Sequence, residues 1–129
     1  MEVKKNTNTK KIVTDKKLVF RYWLNFLKPY HKLRQKEIEA LGIMLYYRYE
    51  LSKEVNNIAL VERLLFSTET RVKIRKELNN MGQKVFNNLL TSLRNKGVLS
   101  KDNKIHPSLI PNMDETGFKL TFDFEIKKK

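Results

Sequence analysis

The sequence predicts a mainly α-helical domain that carries one small β-hairpin. Between residues 33 and 96, apolar side chains recur at spacings of three and four, which is the period of amphipathic helices. Residues 98–106 then follow the pattern of strand, tight turn and strand. The length of 129 residues is typical of one domain. The absence of cysteine excludes disulfide scaffolds, cysteine-based zinc sites and thiol nucleophiles.

The net charge of +13 comes mainly from two regions of the chain. Residues 1–34 hold ten Lys and Arg against two acids, and residues 67–106 hold nine against three. The stretch between them is close to neutral and is expected to supply buried surface. This asymmetry predicts a polyanionic partner, with nucleic acid as the leading class.

Residues 1–14 lack apolar periodicity, and residues 15–129 are predicted to form a single domain after this flexible basic arm. The first element of that domain is ambiguous, because its aromatic-rich run fits either a strand or a helix. Asp15 as a first residue and Pro29 as a stop favour a helix.

Two amphipathic helices are predicted next, over residues 33–51 and 55–66. In the first, Ile38, Leu41 and Leu45 share one face. Three tyrosines near its end fit either a stacking platform for bases or the edge of the core, and the second interpretation is favoured.

A helix-turn-helix is predicted over residues 68–96. The residues around Ser67 supply a capping hydroxyl and a first-turn acid, which are typical of a helix start. Two asparagines and Gly82 then break the helix, because both residue types tolerate left-handed backbone. The second helix spans 83–96 and ends at Gly97. Its apolar stripe consists of Phe86, Leu89, Leu90 and Leu93.

The opposite face of this second helix carries almost only hydrogen-bonding side chains. They are Gln83, Lys84, Asn87, Asn88, Thr91, Arg94, Asn95 and Lys96. Asparagine pairs bidentately with adenine, arginine with guanine, and lysine binds phosphates. We predict base contacts from Asn87, Asn88, Thr91 and Arg94, and phosphate contacts from Lys84, Lys96, Lys101 and Lys104. Basic residues of the preceding helix are expected to add positive charge nearby; they are Arg71, Lys73, Arg75 and Lys76.

The string from Phe86 to Leu99, FNNLLTSLRNKGVL, is similar to the recognition-helix-to-wing junction of the winged helix-turn-helix superfamily. The resemblance covers residues 33–110 and includes small winged-helix proteins of bacteria and phages. It implies that residues 83–96 lie in the major groove of DNA and that the wing contacts backbone or minor groove. Arg34 departs from the pattern, since related proteins usually have Ser or Thr there. The Lys- and Asn-rich composition and small size suggest a phage of AT-rich hosts, such as a crAss-like phage.

Residues 107–111 are expected to be extended, because prolines stand at both ends. Residues 118–126 alternate apolar and polar side chains, which predicts a strand with one buried face. This strand fits either an addition to the wing sheet or an edge that pairs with a second copy or a protein partner.

These observations predict a cytoplasmic, DNA-binding winged-helix protein that acts in transcription or replication control. The alternative is a phage virion or assembly protein that uses the same domain for docking on other proteins. We predict no catalytic residues, metal site, cofactor or membrane segment, because no constellation or apolar run of the required kind occurs.

Overall fold

The structure is a computed structural model that describes residues 13–118 and 125–127. In this part the chain forms five α-helices, with short 3-10 turns at Lys28–Tyr30 and Pro107–Leu109. The helices are α1 (Lys16–Phe26), α2 (Gln35–Glu54), α3 (Ile58–Leu65), α4 (Thr68–Glu77) and α5 (Gln83–Asn95). The mainly helical architecture is confirmed, and the ambiguous first element is a helix.

Side chains cap the starts of α1, α3 and α4. Asp15, Asn57 and Ser67 each accept a hydrogen bond from a first-turn backbone N–H. The start of α2 works differently, because the backbone N–H of Arg34 donates to Glu37 Oε1 at 2.8 Å. This contact is the glutamate half of a capping box, in which the third residue of the helix accepts from the N–H of the residue before the helix.

The core is organised around α2, which packs against α1, α3 and α4. The first half of α2 is buried from Ile38 to Leu45, except for the partly exposed Glu39. α5 adds its predicted apolar stripe to the same cluster. The 98–106 loop closes the core with Leu99 and Ile105, which are 2% and 3% exposed.

The predicted β-hairpin is wrong. Between residues 13 and 118 no strand forms; the 98–106 loop has one isolated antiparallel bridge, Leu99 to Ile105, and a second bridge joins Asp114 to Gly117. The Ser100 side chain is one reason that the pairing does not extend beyond the bridge from Leu99 to Ile105. Its Oγ accepts hydrogen bonds from the backbone N–H groups of Asp102 (3.2 Å) and Lys104 (3.1 Å). On the other side Pro107 has no N–H to extend a ladder. The fold class with a small hairpin or sheet, and with it a winged helix-turn-helix, is not what the described residues form.

The expected extended path of residues 107–111 is wrong over its first three residues, which form a 3-10 turn. His106 Nδ1 accepts from the N–H of Ser108 at 3.2 Å and caps this turn. The indole N–H of Trp23 donates to the carbonyl of Leu109 at 2.9 Å, which fixes the turn against α1.

Two predictions fall mostly outside the described residues. They are the arm at residues 1–14, of which residues 1–12 are not described, and the strand at residues 118–126, of which residues 119–124 are not described. Phe118 itself packs edge-on against Trp23, with ring centroids 5.3 Å apart.

The helices within residues 13–118 are too short or too polar to cross a bilayer. The same part of the chain, with residues 125–127, contains no group of three or more side chains that are placed to hold a metal ion.

Candidate nucleic-acid interface

A tight turn between α4 and α5 sets the direction of α5. Asn79 and Asn80 both have φ 57°, and the N–H of Met81 donates back to the carbonyl of Arg75 at 3.0 Å. Gly82 was expected to be left-handed, but it has φ −67° and is the residue before the first turn of α5. The two asparagines therefore make the reversal, and the glycine does not.

The other end of α5 is closed by Gly97, which has φ +77°. Its N–H donates to the carbonyl of Arg94, and the N–H of Val98 donates to that of Leu93, both at 3.0 Å. This is a Schellman motif, which satisfies the last carbonyls of the helix and needs a left-handed residue at its centre. Gly97 thus determines where the 98–106 loop leaves α5.

The outer face of α5 is a stripe of exposed polar side chains. Opposite the buried stripe lie Lys84, Asn88, Thr91 and Asn95, at spacings of four, three and four residues, and all are exposed. Gln83 and Asn87 are also exposed and lie beside this stripe, on the side of Arg94. No carboxylate belongs to α5. Six of the ten predicted site residues therefore share one accessible surface, which we call the outer face of α5.

Arg94 lies at the edge of the outer face and is held by the 98–106 loop. Its Nε and Nη2 donate to Asn103 Oδ1 at 3.0 and 2.7 Å. Asn103 itself has φ 60°, so this contact supports a strained position in the loop. In this structure Arg94 attaches the loop to α5, a different role from the predicted contact with a base.

Lys96, a predicted phosphate ligand, forms an ion pair with the buried Glu37, and its own side chain remains 27% exposed. Its Nζ donates to Glu37 Oε1 at 2.5 Å and to the carbonyl of Lys32 at 2.9 Å. Ser92 Oγ donates to the second carboxylate oxygen of Glu37, also at 2.5 Å. The Glu37 side chain is 1% exposed and that of Lys96 is 27% exposed, so α5 and the start of α2 are joined by a partly buried polar contact.

The environment of Glu37 changes its acidity. Burial raises the pKa of the Glu37 carboxyl, but hydrogen bonds from the Arg34 backbone N–H, Lys96 and Ser92 outweigh burial and lower the pKa from 4.5 to about 2. Glu37 is therefore ionised at neutral pH and neutralises Lys96.

Two sets of basic side chains flank α5. Lys101 and Lys104 are exposed on either side of Asn103 in the 98–106 loop, as predicted, and we call them the loop flank. Neither they nor Lys84 makes an ion pair with any residue in the described ranges.

The second set was missed by the sequence analysis. Lys32, Arg34 and Lys36 are exposed between α1 and the first turn of α2, and we call them the α1–α2 flank. The contact from Lys96 to the Lys32 carbonyl brings this segment next to α5. The signal in the sequence was the absence of any acid between Asp15 and Glu37, but nothing in it showed which helix this segment adjoins.

The basic residues of α4 are placed differently. Lys73 and Lys76 line a shallow depression with Tyr47 and Glu77, midway along α2. Arg71 stacks over the ring of Phe66, with 5.9 Å from the guanidinium carbon to the ring centroid.

The tyrosines of α2 pack against the core and are not a free stacking platform. They are Tyr46, Tyr47 and Tyr49, all partly buried. The hydroxyl of Tyr47 donates to Glu77 at 3.2 Å, and that of Tyr49 donates to Glu115 at 2.7 Å. Their interpretation as core edge is confirmed.

Comparison with known proteins adds no relative: no family model, curated protein or solved structure matches this chain. What the site does is therefore argued from its own geometry and charge.

Proposed function

We propose that this chain binds double-stranded DNA through the outer face of α5. The observation that carries the proposal is the exposed stripe of Lys84, Asn88, Thr91 and Asn95, which contains no carboxylate and lies opposite the side of α5 that is fixed in the core. Amide side chains of this kind pair with base edges, and a lysine beside them contacts phosphate.

The dimensions of α5 suit the major groove. A helix with its side chains is about 10–12 Å across, and the major groove of B-form DNA is about 12 Å wide. α5 has 13 residues, so the exposed stripe runs along most of the helix. The N-terminus of α5 also suits a polyanion, because it has no acid in the first turn and no side-chain cap.

The charge around α5 supports the same ligand. Between Glu77 and Asp114 the only acidic residue is Asp102, whereas five residues are Lys or Arg. Four of these five are exposed, and three of them, Lys84 and the loop flank, form no ion pair within the described residues. A surface of this kind attracts DNA in a salt-dependent way, before any base is read.

The role that follows from this proposal is control of transcription or replication, in the cytoplasm where bacterial or phage DNA is read. It is a binding role, and the proposal includes no catalytic step and no cofactor.

The proposal is tested with two isosteric substitutions on the outer face, Asn88→Asp together with Asn95→Asp. Both side chains are exposed, so the fold is expected to persist. A new carboxylate about 4 Å from a phosphate costs about 1 kcal/mol in water, so the pair is expected to weaken duplex binding about 30-fold. Fluorescence anisotropy with a labelled duplex measures the dissociation constant.

The matched control places the same two charges elsewhere, with Asn56→Asp and Asn112→Asp. Both positions are exposed and lie near the far end of α2. The control is expected to bind DNA within about twofold of the wild-type protein. Asn56 follows the end of α2 and Asn112 lies beside Tyr49, which is 12 residues or about 18 Å along α2 from the Glu37 contact with α5. Equal weakening by both pairs would contradict a specific role for α5. An unchanged affinity in the α5 pair would favour the alternative of protein docking.

A further inference from the structure

The C-terminal half of α5 is held from two opposite sides. On one side Arg94 binds the 98–106 loop, and on the other Ser92 binds Glu37 at the start of α2. Ser92 and Arg94 are two residues apart, which places them about 200° apart around the helix axis. The loop flank and the α1–α2 flank therefore lie on opposite sides of α5, with the outer face between them.

The α1–α2 flank presents positive charge only. Lys32, Arg34 and Lys36 are exposed, and the Arg34 side chain is 75% exposed. The nearest acid in the chain, Glu37, is buried, so no carboxylate of this segment faces solvent. The loop flank is similar, since its two lysines are accompanied by Asp102 alone.

We propose that the α1–α2 flank binds the phosphates of one DNA strand while the loop flank binds those of the other strand, with α5 in the major groove between them. This inference rests on the proposed function of α5 and deepens it, because it assigns a new phosphate site and names the form of the ligand. Two basic flanks separated by one helix of about 10–12 Å correspond to the two phosphate rows that border a groove about 12 Å wide.

The ligand is therefore B-form duplex DNA. A-form duplex RNA has a deep, narrow major groove that does not admit a helix, and a single strand offers one phosphate row. Either of these ligands would leave one flank without a phosphate partner.

The test is the salt dependence of duplex binding by a variant with Lys32→Ala and Lys36→Ala. Both side chains are exposed, and the main-chain carbonyl of residue 32 that accepts from Lys96 is retained. The matched control, Lys73→Ala with Lys76→Ala, removes the same charge beside Tyr47. That site lies ten residues, or about 15 Å, along α2 from Glu37.

The logarithm of the affinity falls linearly with the logarithm of the salt concentration, by about 0.9 for each phosphate contact. The α1–α2 flank variant is expected to lower this slope by about 1.8, and the control by less than about 0.5. The wild-type protein is expected to bind duplex RNA of the same sequence at least about tenfold more weakly than duplex DNA.

A wild-type slope in the flank variant, or equal affinity for duplex RNA, would overturn this inference. In either case, weaker binding by the Asn88→Asp and Asn95→Asp protein would still support the proposed function of α5. If the wild-type protein binds no duplex at all, both proposals are wrong.

Discussion

Removing the ammonium group of Lys96 is expected to be among the most damaging single substitutions in α5. In Lys96→Met, the carboxylate of Glu37 stays 1% exposed and loses its nearer charged partner, while the 3.5 Å contact with Arg34 remains. Breaking a buried pair from one side typically costs about 3–5 kcal/mol of the free energy of unfolding, and we expect a cost at the lower end of that range. Glu37→Gln is expected to cost less, because Lys96 is 27% exposed and keeps access to water. The double variant should therefore be more stable than Lys96→Met alone.

The pH dependence of the unfolding free energy gives a second measure of how much the ionised Glu37 stabilises the fold. The folded pKa of Glu37, about 2, is below its ordinary value of 4.5, so its contribution is fully present above pH 4.5 and is lost as the pH falls toward 2. The whole contribution corresponds to about 3 kcal/mol at neutral pH. About 2 kcal/mol of it is expected to disappear between pH 7 and pH 3.

Urea unfolding of the wild-type protein and of Glu37→Gln at these two pH values measures the effect. Other carboxyl groups titrate in both proteins, so their contributions cancel in the difference. We expect the difference in unfolding free energy between the wild-type protein and Glu37→Gln to be about 2 kcal/mol smaller at pH 3 than at pH 7. A difference that does not change with pH would refute the assignment of Glu37 as the ionised partner of Lys96.

Four further substitutions test other parts of the structure. Arg94→Met is expected to detach the 98–106 loop from α5, which faster amide exchange in that loop and an unchanged helical circular dichroism signal would show. Gly97→Ala should cost about 1–2 kcal/mol because the residue is left-handed. Gly82→Ser should stabilise the protein by about 0.3 kcal/mol by capping α5, and thermal unfolding distinguishes the two. Trp23→Phe leaves a buried carbonyl without its donor and should cost about 1–3 kcal/mol in urea unfolding; wild-type stability would show that the hydrogen bond contributes nothing.

The helices were predictable because their signals are local. Ser67 and Asp15 cap helices in the structure as their positions in the sequence suggested, and apolar spacing identified the buried side of α5. The hairpin prediction failed in a detail that the apolar pattern does not show. The pattern around Leu99 and Ile105 is that of paired strands, but the two arms share only the backbone hydrogen bonds of one bridge, because the Ser100 side chain takes the N–H of Lys104 and Pro107 has no N–H.

The candidate site was predictable only in part. The helical period alone places Asn88 and Asn95 on the outer face of α5. The roles of Arg94 and Lys96 depend on partners that are distant in sequence, since Glu37 is 59 residues from Lys96. These contacts are determined by how the helices pack against one another. The position of the α1–α2 flank beside α5 is determined in the same way.

The attachment of α5 at both of its sides also bears on how fast a ligand is captured. Arg94 and Lys96 hold the helix to two separate parts of the chain, so the outer face has its final shape before any encounter. Little ordering is then needed on contact, and the association rate is set by diffusion and charge instead of by a slow rearrangement. Under the proposed function, such a surface would let the protein sample many DNA sites in succession, with the residence time at each site determined by the side chains of the outer face.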